Sequence, residues 1–531
     1  MSAPKFAVPR VLSWIAASLA LLIPCVWQER IQAGDLSSHL YNAWLALEIK
    51  RGAVPNLAIV FPWTNTLCDW MLEALLRFQN SVVAERVVSG AAVLVFFWGA
   101  FRLIHVATGA EPWPLAPFLA MISYGLVFEL GFLNYYVSTG LCLWILALLW
   151  TPDRRRETLA APLAILALLA HALPVAWTAL ALGYLWLFRR ITPHRRIWML
   201  PAGVAGFVML RILVVSRFPN RWSLDQVASL GGVLGATGVE QVWLHNAKYV
   251  MVALGVLALW WMLFLDRFDR ESMTTNPIAH LCALNMAVFA LAPSAVQLPQ
   301  YQHVLAYIPQ RVSLFEAVLI LVLIGGARPS RVMSGCSCFL AAIFFLFLYV
   351  DDKALNVAES QMNALIATVP AGGRVVASVT DSHSRLSALS HAADRACIGH
   401  CFSYGNYEPA SGQFRIRVLG ANRAVAPNMR VVKEIEEGRH IVTEEEAPIY
   451  AICSSDSPAR LFLRVLSAGD RTCAVTLPVS PEARSNSSRN GPQGFVDMWV
   501  DMLEERQTFP ASRQEPKCAF FTFMLPSHRL L

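Results

Sequence analysis

Apolar runs long enough to cross a lipid bilayer recur along the first two thirds of this chain. A bilayer core about 30 Å thick takes about 20 apolar residues of α-helix, and backbone within lipid must satisfy its own hydrogen bonds. The runs therefore predict a polytopic α-helical membrane protein with about 11 transmembrane helices. The predicted crossings lie near residues 10–28, 83–106, 113–130, 132–150, 158–171, 174–188, 197–215, 247–265, 277–295, 303–325 and 333–350.

The charge content divides the chain into two regions. Charged residues make up 15% of the 531 residues, against about 25% in an ordinary soluble domain. The deficit is strongest before residue 350, and the remainder has a mixed, polar composition. We predict a transmembrane domain over residues 1–350, with external loop helices at about 29–82, and a soluble external α/β domain over residues 351–531.

Basic residues in the short loops predict the orientation of the chain. The net charge of +7 comes from these loops, a pattern that orients a membrane protein and argues against a nucleic-acid partner. We predict a multi-pass protein of the plasma (inner) membrane, with a cytoplasmic N-terminus and an external or periplasmic C-terminal domain. The basic residues then assigned to the cytoplasm are Lys5, Arg10, Arg267, Arg270, Arg328, Arg331 and the arginines of 154–156, 189–190 and 195–196.

Local patterns predict smaller elements outside the membrane. Two amphipathic helices are expected to lie at the membrane interface within the first external loop, over residues 39–51 and 63–78. A helix is predicted over 354–368 and a flexible loop at 485–494. Strands are predicted at RVVASV, FRIRVL, RHIVTE, PIYAIC and CAVTL.

The C-terminal region holds five cysteines, an odd number that excludes complete internal pairing. Cys397 and Cys401 enclose a short loop and are candidates for a bridge in an oxidising compartment. Free, buried thiols are the favoured alternative. A zinc site is disfavoured because no second closely spaced pair completes it. The five are Cys397, Cys401, Cys453, Cys473 and Cys518.

Asp35, His39 and Asp69 are the predicted catalytic residues. Asp35 and His39 lie four residues apart in GDLSSHLYNAW, a few residues beyond the first apolar run, so a helix would put them on one face. An external carboxylate can act as general base on a substrate hydroxyl, and a second one can orient it or bind a metal. The alternatives are that Asp35 caps the helix that follows, and that Asp69 lies with Asn65 on a solvated face.

Arg311 is the first predicted substrate-binding residue. It lies within the apolar run QYQHVLAYIPQRVSLFEAVLI, about 12 Å below the external end of the predicted helix. A charge there is costly and usually faces a cavity or a partner, and a guanidinium fits a lipid phosphate. The alternative is a structural ion pair with Glu316 or Glu129.

Glu129, Asn134 and His171 are the other predicted substrate-binding residues, because they fall at tight external turns on the same side as Asp35. The alternative for His171 is a hydrogen-bonded structural role at a helix end. The sequence has no Walker loop, GxGxxG, HExxH or GxSxG motif, so ATP-driven transport and protease chemistry have no support.

Over roughly residues 8–350, the arrangement resembles the GT-C-fold integral membrane glycosyltransferases. The resembling segments are GDLSSHLYNAWLALEIKRG after the first predicted helix, GFLNYYVSTG at the turn between the third and fourth, and HALP at the turn between the fifth and sixth. The resemblance implies a sugar donor linked to polyprenyl phosphate, a glycan or lipid acceptor of the cell envelope, Asp35 as catalytic acid or base, and Arg311 as a lipid-phosphate contact. Some members of that family have two adjacent acids in the first external loop. This chain differs from them, because Leu36 follows Asp35 and the next acid is Glu48. No metal ligand is assigned, and the use of a divalent metal is left open.

The function predicted is transfer of a sugar to a cell-envelope acceptor on the external membrane face. The alternative is a non-enzymatic polysaccharide or lipid transporter, or an assembly subunit. A transporter is expected to spread its polar groups through the membrane and to contain paired halves. Here the polar candidates gather at one face and no inverted repeat is found, so an enzyme is favoured.

Overall fold

A computed structural model describes residues 10–151, 153–223, 226, 234–239, 246–267, 275–297, 304–327, 329–377, 379–380, 389, 391–456, 459–473 and 475–476. The predicted loop at 485–494 and Cys518 lie outside the described residues, as do Lys5, Arg270 and Arg328.

Apolar helices make up most of the described chain before residue 370, and three short helices follow. Their bounds are α1 (Arg10–Leu22), α2 (Leu36–Lys50), α3 (Leu67–Leu76), α4 (Ser81–Thr108), α5 (Ala116–Ser123), α6 (Leu126–Glu129), α7 (Leu133–Leu149), α8 (Arg154–Ala170), α9 (Ala172–Arg190), α10 (Pro193–Arg196), α11 (Met199–Arg217), α12 (Asn246–Arg267), α13 (Pro277–Leu291), α14 (Ile308–Ile324), α15 (Arg331–Ile366), α16 (Ala392–Ala396), α17 (Tyr407–Ser411) and α18 (Met429–Glu436).

The chain is a helical membrane protein. Within the described residues, five stretches are long and apolar enough to cross a membrane: α4, α9, Pro193–Arg217, Ala247–Asp266 and α15. Shorter apolar helices occupy most of the other predicted crossings, so the count of eleven stays a prediction. Large apolar side chains such as Met209, Ile212 and Leu213 are exposed on α11, as expected for a surface in contact with lipid.

The third predicted crossing, 113–130, is not one helix. The chain forms a short 3-10 turn at Trp113–Leu115, then α5 and α6, with a break at Tyr124 and Gly125. A Cβ at Gly125 would lie 1.7 Å from the Gly238 carbonyl oxygen. The break therefore lets a second backbone segment approach, a contact that hydropathy does not reveal.

The first loop differs from the prediction of two helices lying at the membrane interface. The helices exist, as α2 and α3, but α2 is buried over most of its length, including Leu40, Tyr41 and Leu45. The Tyr41 hydroxyl accepts a hydrogen bond from the backbone N–H of Ser403 at 3.0 Å. The C-terminal region therefore covers α2, and contacts with protein take the place of the lipid contacts predicted for this helix.

The predicted domain boundary at residue 350 falls inside α15, one continuous helix of 36 residues. The crossing predicted over 333–350 and the helix predicted over 354–368 are parts of this same element. Beyond the apolar part of α15, the Asn356 side chain bonds both the N–H and the carbonyl oxygen of Arg30, at 2.9 and 3.0 Å. The helix is thereby attached to the chain that follows α1.

The C-terminal region contains a mixed four-stranded sheet in the order β10-β9-β5-β7. Strand β5 is parallel to both β7 and β9, and β10 forms an antiparallel hairpin with β9. Strand β1 from the first loop pairs antiparallel with β8. The strands are β1 (Leu57–Ile59), β2 (Asn220–Arg221), β3 (Ala295–Val296), β4 (Leu305–Ala306), β5 (Arg374–Ala377), β6 (Val379–Thr380), β7 (Phe402–Ser403), β8 (Ile416–Val418), β9 (Ile449–Asp456), β10 (Ala459–Leu466) and β11 (Val475–Thr476).

Four of the five predicted strand segments contain a strand. RHIVTE is the exception, because it forms only an isolated bridge between Ile441 and Arg471. The prediction of free thiols is wrong, since Cys397 is bonded to Cys401 and Cys453 to Cys473. The second bridge joins residues that are distant in sequence, a pairing that spacing alone did not suggest.

Candidate active site around Asp35

The backbone of Asp35 is held by the turn between α6 and α7. The N–H of Gly34 donates to the carbonyl of Glu129 at 2.9 Å, and the N–H of Asp35 donates to that of Leu130 at 3.1 Å. Gly131 has a φ of +75°, and a Cβ on it would lie 2.4 Å from the Asp35 nitrogen. Two segments singled out in the sequence, GDL and GFLNYY, are therefore in direct contact.

The carboxylate of Asp35 does not cap α2. Asp35 occupies the N-cap position, yet its side chain makes no capping hydrogen bond. Instead, its Oδ1 lies 3.5 Å from Nε2 of His391, and the side chain keeps 28% of its surface exposed. The capping alternative is therefore not realised, and a partly exposed acid faces an imidazole from the C-terminal region.

His391 is a residue of the site that the sequence analysis missed. Its Nδ1 bonds Asp394 at 2.9 Å, and its ring lies against that of Tyr407 with centroids 5.4 Å apart. Burial by itself would lower the pKa of His391, but the bond to Asp394 and the charges of Asp394 and Asp35 raise that pKa to about 9. At neutral pH, His391 is therefore an imidazolium. The one signal in the sequence was a His and an Asp three residues apart in HAADRA.

His39 pairs with Asp69 and not with Asp35. Its Nδ1 lies 2.8 Å from Oδ1 of Asp69, and Glu408 lies 3.8 Å away. Burial would lower the pKa of His39, but the Asp69 charge outweighs it and raises that pKa to about 10. Burial would raise the pKa of Asp69, and the His39 charge holds it below its ordinary value instead. Both residues are buried, so they form an ion pair between α2 and α3 near Asp35.

Asn134 holds this ion pair in place. Its Nδ2 donates to Oδ2 of Asp69 at 3.1 Å, and its Oδ1 accepts the N–H of Cys68 at 2.8 Å in the first turn of α3. Asn134 itself is 2% exposed. The structure therefore places this predicted substrate-binding residue behind Asp69, with both ends of its amide engaged.

Arg311 lies in the first turn of α14, since this helix begins at Ile308 and not near residue 303 as predicted. Its guanidinium carbon lies 4.0 Å from the ring centroid of Phe132 and 5.1 Å from that of Tyr135. Its Nε donates to the carbonyl of Ala306 at 3.2 Å. Asp35 is near enough to interact with it electrostatically. Among the described residues, its two terminal nitrogens have no hydrogen-bond partner.

The ion pairs considered for Arg311 are not formed. The Glu316 carboxylate accepts a hydrogen bond from Asn285 at 3.0 Å. The side chain of Glu129 is buried, and its Oε2 has no partner among the described residues. Glu129 thus contributes its backbone carbonyl, which accepts the N–H of Gly34 next to Asp35, and not its carboxylate.

His171 has the structural role considered for it. It is the N-cap of α9, with Nδ1 accepting the N–H of Leu173 at 3.1 Å. The rings of His171 and Tyr135 pack edge to face with centroids 5.3 Å apart, so Tyr135 contacts both His171 and Arg311.

The arrangement combines one acid, Asp35, with two nearby cations, His391 and Arg311. The partly exposed Asp35 can accept a proton, and the terminal nitrogens of Arg311 can bind an anion. Among the described residues, no group of three His, Cys, Asp or Glu side chains is arranged to hold a metal ion. Comparison with known proteins gave no match, whether to a family model, a curated protein or a solved structure.

Proposed function

We propose that this protein is an integral membrane glycosyltransferase that moves a sugar from a polyprenyl-phosphate donor to a hydroxyl of a cell-envelope acceptor. One observation carries the proposal. Asp35, whose carboxylate is free of capping, lies within electrostatic range of Arg311, whose terminal nitrogens are unpaired among the described residues. A base for a hydroxyl and a cation for a phosphate are thus present in one site.

The reaction is a single displacement at the anomeric carbon of the sugar. Asp35 takes the proton of the acceptor hydroxyl as its oxygen forms a bond to C1. The bond between C1 and the phosphate oxygen breaks, and its electron pair leaves with polyprenyl phosphate. The Arg311 guanidinium stabilises the negative charge that develops on this leaving group. The anomeric configuration inverts.

The disulfides support an external location for the C-terminal region. Bridges such as Cys397–Cys401 and Cys453–Cys473 persist in oxidising compartments and are rare in the cytosol. With the N-terminus on the cytoplasmic side of the plasma membrane, the site around Asp35 faces the external side, on which envelope glycans are built.

The test is transfer from labelled polyprenyl-phosphate sugars by purified Asp35→Asn and Glu48→Gln variants. Loss of a general base lowers a rate by about 10²–10⁴-fold, and we expect that loss for Asp35→Asn. Glu48 is the next acid along the loop, and it pairs with the exposed Arg51, so Glu48→Gln should keep wild-type activity.

Full transfer by a correctly inserted Asp35→Asn protein would refute the assignment of Asp35. Absence of both transfer and donor hydrolysis in the wild-type protein, across a panel of donors, would instead favour the transport or assembly alternative.

A further inference from the structure

We infer that His391 is a positioning residue, which fixes the Asp35 carboxylate through Oδ1 and leaves Oδ2 for the acceptor hydroxyl. This inference rests on the proposed function, because it assigns a task to the base of that reaction. It also makes the C-terminal region part of the active site, since Asp35 follows the first membrane helix and His391 precedes α16.

The imidazole of His391 is held from one side. Its Nδ1 bonds one carboxylate oxygen of Asp394 at 2.9 Å, and the hydroxyl of Ser403 in β7 donates to the other oxygen. Both Asp394 and Ser403 are buried. With Nδ1 engaged, Nε2 is the nitrogen directed at Asp35, 3.5 Å from its Oδ1.

The short helix that carries Asp394 is itself fixed to the membrane helices. The Arg395 guanidinium contacts Glu359 of α15 at 2.8 Å and Glu85 of α4 at 3.0 Å, and it donates to the carbonyl of Ile31 at 2.9 Å. All three side chains are buried. The position of His391 is thus fixed through α16, because Arg395 of that helix contacts α4 and α15.

The charges around His391 favour its cationic form. It faces Asp394 on α16, Asp35 at the start of α2, Tyr407 on α17 and Glu436 on α18, which is in turn near Lys433. A cation 3.5 Å from a carboxylate oxygen attracts that oxygen and restrains its orientation.

The first experiment measures kcat and KM for transfer by His391→Gln. We expect kcat to fall by about 10- to 100-fold because the base is no longer oriented, with the KM for the lipid-linked donor unchanged. His400→Gln is the matched control, because His400 lies in the same region and bonds the carbonyl of Val369 at 2.7 Å. A kcat of His391→Gln equal to that of wild type would overturn the inference.

The second experiment does not depend on turnover. Diethyl pyrocarbonate modifies neutral imidazole, so its rate at His391, followed by peptide mass spectrometry between pH 7 and 10, reports the protonation of that ring. In Asp35→Asn we expect the midpoint to fall by about one pH unit, and in Glu48→Gln to stay unchanged. A midpoint unaffected in Asp35→Asn would overturn the pairing even if the variant is inactive. A lowered midpoint in a protein that transfers no sugar would keep the pairing and reject the proposed function.

Discussion

At the scale of single residues, Arg311 shows how a cation is accommodated at the start of an apolar helix. The rings of Phe132 and Tyr135 cover its guanidinium, and the Tyr135 hydroxyl donates to the Arg311 carbonyl at 2.6 Å. Aromatic faces stabilise a planar cation without using its N–H donors. The terminal donors therefore remain available for an anion, which a conventional ion pair would have consumed.

Replacing Arg311 by Lys should weaken donor binding. Lys keeps the charge but loses the planar fork that binds a phosphate through two parallel bonds and stacks on an aromatic ring. One charged hydrogen bond is worth about 1.5–3 kcal/mol, so we expect the KM for the polyprenyl-phosphate donor to rise about ten- to hundredfold.

Arg211→Lys is the control for this measurement. Arg211 also lies in an apolar helix, bonds a carbonyl, that of Leu291, through Nε and stacks on an aromatic ring, that of Trp222. Its replacement should leave the KM of the donor as in wild type. Equal values of KM for Arg311→Lys and wild type would exclude Arg311 from donor binding.

At the scale of elements, the turn between α6 and α7 decides where Asp35 lies. The hold on Asp35 is made by backbone groups, so the side chains of Glu129 and Leu130 are not needed for it. Gly131 is needed, because its left-handed backbone brings the turn against the Asp35 nitrogen, where a Cβ has no space.

Gly131→Ala should displace Asp35 and abolish most of the transfer activity. A side chain at positive φ costs about 1–2 kcal/mol, and the contact with the Asp35 backbone adds to this. Gly109→Ala is the matched control, because Gly109 also has a left-handed backbone, with a φ of +70°, but a Cβ there would face open space.

Transfer rates and thermal unfolding in detergent should be measured for both glycine variants. We expect a loss of stability in both variants, larger for Gly131→Ala because of its contact with the Asp35 backbone, and a loss of activity for Gly131→Ala alone. Comparable activity of the two variants would show that the turn does not position Asp35.

Sequence patterns located the elements better than their surroundings. Hydropathy found apolar helices at almost every predicted crossing, because a helix that faces lipid and a helix packed inside a membrane domain are both apolar in sequence. It placed α2 at the membrane interface, because an apolar helix face can be covered by lipid or by protein. The break at Gly125 also escaped, since its cause is a contact with Gly238.

The candidate site was predictable in part for a related reason. Arg311 is a charge inside an apolar run, and Asp35 lies a few residues beyond the first such run, so both stand out in the sequence. His391 lies in a polar region where a histidine is unremarkable, and its contact with Asp35 depends on how two distant segments pack. The pairing of His39 with Asp69 was missed because helical spacing suggested Asp35 as its neighbour.

At the scale of the whole molecule, buried Arg395 joins the C-terminal region to the membrane helices. Removing one member of a buried ionic group leaves uncompensated charge and costs about 3–5 kcal/mol. We expect Arg395→Met to lower the unfolding temperature of the protein in detergent, because the Glu85 and Glu359 carboxylates lose their shared cation.

The triple variant Arg395→Met, Glu85→Gln, Glu359→Gln should regain part of this loss, because it removes the uncompensated charges together with the cation. An unfolding temperature of Arg395→Met equal to that of wild type, measured under the same conditions, would show that this contact does not hold the two regions together.

The unbroken α15 has a mechanical consequence. Its 36 residues span about 54 Å, while a bilayer core is about 30 Å thick, so some 24 Å of the helix projects beyond the hydrocarbon. In the less apolar second half of this helix, the Asn356 side chain bonds the backbone N–H and carbonyl of Arg30. We therefore expect the C-terminal sheet to move together with the helices that α15 contacts.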